Sequence, residues 1–213
     1  MQLRFETNHE KATQSLNYLA VQAGGSINKL KALKLIFFAD RYHLRKHGRP
    51  IIGDAYWAMT YGPVASMAKD LAESYPVLDG CEQSYAARYL RPTEDRLTIF
   101  STAEVDEDVF SDSDIEALEF AWEQFGHLPQ FKLAALSHAY PEWKKHSEGL
   151  TKGSCKRAWM EYEDFFLDPD PDDPDLQSAG LGDPFADAVN EQQKAVAREI
   201  ADERSREAAF WGN

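Results

Sequence analysis

The chain has 213 residues, a hydrophobic fraction of 43 % and a formal net charge of −13. That is apolar material for one sizeable core plus an appendage, with no stretch near the roughly 20 apolar residues of a membrane-spanning helix. So acidic a chain is a poor general binder of phosphate backbones, because that affinity comes from neutralised phosphates. Cys81 and Cys155 are far apart and outside any CxxC, which argues against a disulfide framework or a four-thiolate zinc site. The first residues lack the charged-then-apolar pattern of a signal peptide, so a cytoplasmic location is expected.

In chain order, residues 9–23 place Ala12, Leu16, Leu19, Ala20 and Ala23 at helical spacing, stopped by Gly24-Gly25. Residues 27–47 read as a longer helix ended by Gly48 and Pro50. Leu30, Leu33, Phe37 and Leu44 share one face of it, and Leu35, Phe38, Ala39 and Tyr42 another, so it is expected to be the buried central helix. Asp54 to Pro63 reads as a short strand or extended segment closed by Tyr-Gly-Pro. A short helix is expected over 64–74, then a hairpin with strands near 87–91 and 96–100. Ser113 with Glu116 predicts a capping box for a helix over 114–125. Pro129 predicts the first turn of a helix over 129–140, and 141–146 and 155–166 read as shorter helical pieces.

Composition changes at residue 168, where aspartate and proline dominate up to Pro184. Three parts are expected: a domain over 1–167, a flexible Asp/Pro-rich linker over 168–184, and a helical tail over 185–213. The tail carries Val189, Val196 and Ile200 on a narrow apolar stripe, and Phe210 and Trp211 near its end as anchors. A stripe that thin must dock somewhere. The candidates are the basic helix of its own domain, a second copy of the chain, or a partner.

Chemistry-bearing constellations are few. His43 and His47 at i and i+4, with Asp40 one turn earlier, outline a three-ligand metal set, which would make a metal-dependent enzyme. Leu44, Arg45 and Lys46 intervene, so the metalloprotease glutamate is absent, and the neighbouring cations oppose a metal ion. Cys155 sits near two lysines and an arginine but has no identifiable base. No GxSxG, phosphate loop or dinucleotide loop is present. No cofactor and no enzymatic activity are expected.

Charge is more informative. Residues 27–49 hold seven basic residues and one acid, whereas 101–167 and 168–213 each sum to −8. Lys31, Lys34, Arg41 and Arg45 share a helix face around Phe38. Three readings apply to such a stripe: a solvated face, a binding surface for an acidic partner, or a dock for acidic segments of the same chain. As a binding surface it requires Lys34, Arg41 and Arg45 to be accessible.

Leu33 to Asp40, then Gly48-Arg49-Pro50-Ile51, Asp54, Tyr56, Ala58 and Tyr61-Gly62-Pro63-Val64 resemble the signature of the Panacea domain, the SocA-like, phage-associated antitoxin family of bacteria. Leu136 to Trp143 is similar to a second segment of that family. The resemblance implies a mainly α fold with a small β element, and a non-enzymatic antitoxin that neutralises a cognate toxin protein by direct binding. Some relatives instead act as adaptors handing the toxin to a cytoplasmic protease. The family is paired with many unrelated toxins, so it does not identify the toxin. Asp40, Gly48, Arg49, Pro50, Asp54, Tyr56, Tyr61, Gly62 and Pro63 are expected to be scaffold. Lys31, Lys34, Phe38, Arg41 and Arg45 are the expected toxin contacts, and nucleic acid and membrane are not expected partners.

Overall fold

Helix α2 (Lys29–His47) sits at the centre of the structure, a computed structural model that describes residues 2–74, 76–180 and 182–211, without the side chains of Ala179 and of residues 209–211. Every residue of α2 from Ala32 to Arg45 is buried. The Asn28 side chain caps its start by accepting from the Lys31 N–H, and Gly48 ends it in the left-handed conformation. The helix begins two residues later than its periodicity suggests. Ser26–Asn28 forms strand β1 instead, with Ile27 opposite Ile99.

Around α2 the order is α1 (His9–Gln22), β2 (Tyr56–Met59), β3 (Gly62–Ala65), α3 (Ser66–Ala72), α4 (Gly80–Tyr89), β4 (Leu90–Pro92), β5 (Thr98–Ser101), α5 (Asp112–Phe125), α6 (Gln130–His138), α7 (Pro141–Lys144), α8 (Ser147–Thr151), β6 (Arg157–Trp159), α9 (Pro174–Ala179), α10 (Pro184–Ala188) and α11 (Glu191–Trp211). The fold is mainly helical, with two small antiparallel sheets ordered β1-β5-β4 and β3-β2-β6. Among the described residues no helix is long and apolar enough to cross a membrane.

Several local expectations change. Tyr61 lies in the turn that closes β2, but Gly62-Pro63 does more than end that strand. It leads into β3, whose Pro63 lies on the edge of its sheet, where a missing N–H is tolerated. The cap of α5 is Ser111 with Asp114, not Ser113 with Glu116. Helix α4 buries only Tyr85 and Ala86, too thin an apolar signal to stand out by spacing, yet Asp79 and Glu82 form its capping box. Within 155–166, β6 and a 3-10 turn over Tyr162–Phe166 replace the expected helix, because Ala158 pairs with Ala58 of β2.

The core is aromatic. Phe38 stacks on Phe125 at 4.3 Å, and Phe37 meets Phe165 edge-on at 5.6 Å. Phe185, of the expected tail, lies fully buried against Phe38, Phe120, Phe125 and Tyr140. The stretch over 168–184, expected to be a flexible linker, contains α9, buries Leu176, and pairs Asp173 with Lys144. Proline and aspartate here supply helix starts: Asp173 and Asp183 cap α9 and α10 ahead of Pro174 and Pro184.

The tail folds back onto α2. A Cβ at Gly48 would stand 2.5 Å from the Ala197 carbonyl oxygen and 2.8 Å from Ile200 Cβ, so α11 crosses α2 where only glycine admits it. The contact uses small residues, with Ala197 and Ala201 buried, and Val189 is buried too. Val196 was expected on the docking stripe, but it is 50 % exposed and Ile200 is half-buried. The anchors expected at Phe210 and Trp211 lie outside the described side chains.

This packing makes the tail part of the core. Phe185→Ala is expected to cost about 3–5 kcal/mol through the cavity it leaves, read by urea denaturation. Removing 168–213 is expected to give insoluble or unfolded protein, read by expression yield and far-ultraviolet circular dichroism.

Candidate partner-binding surface

The basic face of α2 turns inward. Lys34, Phe38, Arg41 and Arg45 are all buried, which corrects the expectation that they meet a partner. Arg41 Nη1 pairs with the fully buried Glu142 of α7 at 2.5 Å, and Nη2 donates to the Leu167 carbonyl at 2.6 Å. Its guanidinium lies 4.5 Å over the Tyr140 ring and 5.2 Å from that of Phe185. Arg45 donates to the Phe165 and Leu167 carbonyls at 3.1 Å and pairs with Asp168, which Lys194 of α11 also holds. The acidic C-terminal half of the chain thus meets the basic helix. Burial pushes Glu142 up and Arg45 down, and each pairing opposes that shift.

Lys34 Nζ donates to the Pro63 carbonyl, and burial pulls its ammonium down to about 7. Lys31 alone of the stripe is half-exposed. It donates to the Gly126 carbonyl and lies 5.6 Å over Trp122.

The motif residues make the frame. Asp40 accepts from the Ile51 N–H at 2.8 Å, the Ile52 N–H at 3.2 Å and the Tyr56 hydroxyl at 2.9 Å. These bonds fix the turn at Pro50, and burial pushes Asp40 up to about 7 despite them. Asp54 receives the Met67 and Ala68 N–H groups at the start of α3 and is raised by burial to about 6. Gly62 has φ 91°, and a Cβ there would sit 2.3 Å from Ser137 Oγ. Arg49 pairs with Asp114, as does Lys11. Tyr61, expected as scaffold, is 61 % exposed.

Of the would-be metal ligands, the His43 and His47 rings lie 4.7 Å apart, but each has its own partner, His47 Nε2 facing Glu116 at 3.5 Å. His43 Nδ1 lies 2.6 Å from the Arg49 carbonyl oxygen, which can only accept, so the ring proton is there and Nε2 accepts from the Ser113 hydroxyl at 3.0 Å. Burial holds His43 down at about 4, although Asp114 Oδ1 lies 3.3 Å away, because Arg49 and Lys11 already satisfy that carboxylate. Asp40 is spent on the turn, and the described residues contain no cluster of three His, Cys, Asp or Glu that would hold an ion.

With the stripe buried, the exposed recognition chemistry lies on the β3-β2-β6 sheet. Trp57 of β2 faces Trp159 of β6 in register, ring centroids 5.3 Å apart and edge-on. Arg157 lies 4.4 Å over the Trp57 ring. Trp159 is 46 % exposed and borders a cleft of about 520 Å³ lined by Leu3, Phe5, Ala55 and Tyr162. The turn of the same sheet adds Tyr61, 6.3 Å from the exposed ring of Phe131 on α6. From behind, Trp143 Nε1 donates to the Met59 carbonyl at 2.9 Å, and His138 stacks on Trp143 at 3.7 Å. Exposed Trp with Arg on a braced sheet is the composition of interface anchors. Sequence reasoning missed Trp57, Arg157 and Trp159; a strand reading of Arg157–Trp159 would have set Arg157 and Trp159 on one face.

Residues 33–144 match the family model described as Antitoxin SocA-like, Panacea domain. The match runs from within α2 to Lys144 of α7, more than half of the chain, and stops short of β6 and the C-terminal helices. No curated protein and no solved structure matches the chain.

Two measurements probe this frame. Arg41→Met leaves Glu142 buried and unpaired and is expected to cost about 3–5 kcal/mol, with much of the loss recovered in Arg41→Met, Glu142→Leu, both read by urea denaturation. The second concerns acid. Burial holds His138, like His43, down at about 4 against an ordinary 6.5. Between those values the unfolded chain binds the extra protons, so these rings make stability fall as pH drops from 6.5 towards 4. Asp40, raised to about 7, has the opposite slope, binding its proton in the native state first. His138→Gln is therefore expected to flatten the acid-side loss of stability, measured by denaturation at a series of pH values.

Proposed function

The chain belongs to the antitoxin SocA-like, Panacea domain family, and from that premise we propose that it neutralises a cognate toxin protein by direct contact through the outer face of β3-β2-β6. The pair of half-buried Trp57 and exposed Trp159, with Arg157 over the Trp57 ring, carries this reading. Each ring presents a large rigid area that loses little side-chain entropy on binding, and Arg157 is held by the aromatic face it covers. The neighbouring cleft accepts a side chain from the partner beside Trp159. An ordinary specific complex buries about 1,600 Å² in total, which extends beyond these rings to the Tyr61–Phe131 pair.

Family-matched and unmatched parts divide the work in this reading. The matched segment supplies β2, β3 and the buried charges that hold them. β6, outside the match, supplies Trp159 and Arg157 and so tunes the surface to one toxin. The role requires no cofactor and no reaction by this chain.

The test is a titration against the product of the neighbouring reading frame, with growth rescue in cells expressing it. Trp159→Ala with Arg157→Glu is expected to weaken binding by about 10–100-fold, in the range of one interface hot spot. Circular dichroism should be unchanged, because both side chains are exposed. Undiminished affinity in a folded double variant would place the contact elsewhere.

A further inference from the structure

A second cleft, of about 400 Å³, opens between the N-terminal segment, the turn at Arg49–Ile51 and helix α11. Its charged lining is Arg4, Lys11, Arg49 and Arg204 against Glu6 and Glu207, a local excess of cations in a chain of net charge −13. The acids elsewhere do not use these cations up. Lys11 spends one of its three N–H donors on Asp114 at 2.6 Å. Arg49 reaches the other Asp114 oxygen at 2.8 Å and the Ser111 hydroxyl at 3.0 Å. Among the described residues Arg4 and Arg204 make no ion pair, and the Arg4 guanidinium has only a 3.4 Å contact to Gln2.

The cleft is also built. Asp114 is fully buried beneath it and fixes Lys11 and Arg49 at its floor. Gly53 has φ 64°, and a Cβ there would stand 2.3 Å from the Glu6 carbonyl oxygen, so the backbone of one wall closes directly on the next. Ser205 on α11 holds the opposite wall by bonding the Arg4 backbone at 3.2 Å.

We propose that this cleft binds a small, free phosphate-bearing anion. Guanidinium forks recognise phosphate oxygens in pairs, and an ammonium adds a point charge. The volume falls in the range of small-molecule sites and exceeds the need of a single phosphate. The anion would join α11 to the Arg49–Ile51 turn and to the N-terminal segment, stabilising their junction in proportion to its concentration. Arg4 lines both this cleft and the one beside Trp159, whereas Lys11 and Arg204 line only this one, so Arg204→Glu alone, expected to weaken the anion and leave toxin affinity unchanged, tells failure of this site from failure of the toxin contact.

The experiment is isothermal titration of the full chain with inorganic pyrophosphate and, separately, with a nucleoside monophosphate, each paired with thermal melting. Saturable binding of either at one per chain is expected, with a raised Tm. Arg4→Glu with Arg204→Glu, two exposed side chains without ion pairs, should weaken it by at least about tenfold, which is about 1.4 kcal/mol. No saturable binding of either anion, or equal binding by the folded double variant, would overturn the proposal. So would binding seen only with vesicles of phosphatidylcholine and phosphatidic acid, which would assign the cations to a membrane headgroup instead.

Discussion

Two arginines inside the core set the terms for everything around them. Arg41 and Arg45 lie one turn apart on α2, so their charges are close neighbours in a place where charge is expensive. Each must be met by a carboxylate and by backbone carbonyls. Glu142 on α7, Asp168 just past the 3-10 turn at Tyr162–Phe166, and the carbonyls of Phe165 and Leu167 meet them. Those partners belong to segments far apart in the chain, so satisfying two side chains fixes where α7, the 3-10 turn and the start of the C-terminal region lie. An apolar pair at the same sites would be free to slide. Bonds with direction select one register.

The same logic explains the family motif. Asp40, Asp54 and Gly62 never reach the surface. They hold turns: Asp40 at Pro50, Asp54 at the start of α3, and Gly62 where β3 passes Ser137. A fold held by such turns tolerates wide variation on its exterior, and Trp159 of β6, beside the half-buried Trp57 of β2, belongs to that exterior. A signature of this kind identifies the scaffold and leaves the partner open.

Helical periodicity located α1 and α2, because apolar spacing along a helix is a local property, and a capping signal two residues off located α5. The direction of the basic stripe was not local. Arg41 and its acid are 101 residues apart, and nothing near Arg41 in sequence announces Glu142. A charge stripe was therefore legible and its orientation was not, though acidic segments of the same chain stood among its possible docks. The linker failed for a related reason. Aspartate and proline signal disorder by composition and helix starts by position, and Asp173-Pro174 and Asp183-Pro184 use the second meaning. The β6 strand escaped because three residues carry no period, and only pairing with Ala58 and its neighbours reveals it.

The crossing of α11 over Gly48 carries a consequence for synthesis. The helix that it closes over is made early, and the residues that cover it, Phe185, Ala197 and Ala201, are made late. A ribosome part-way along the message therefore holds a chain whose central helix has neither its aromatic lid nor the acid for Arg45. Domains ordinarily fold as units when their sequence is complete. Here α2 is closed over only once α10 and α11 have followed it. A product ended before Pro184 lacks Phe185, Ala197 and Ala201 and leaves α2 uncovered.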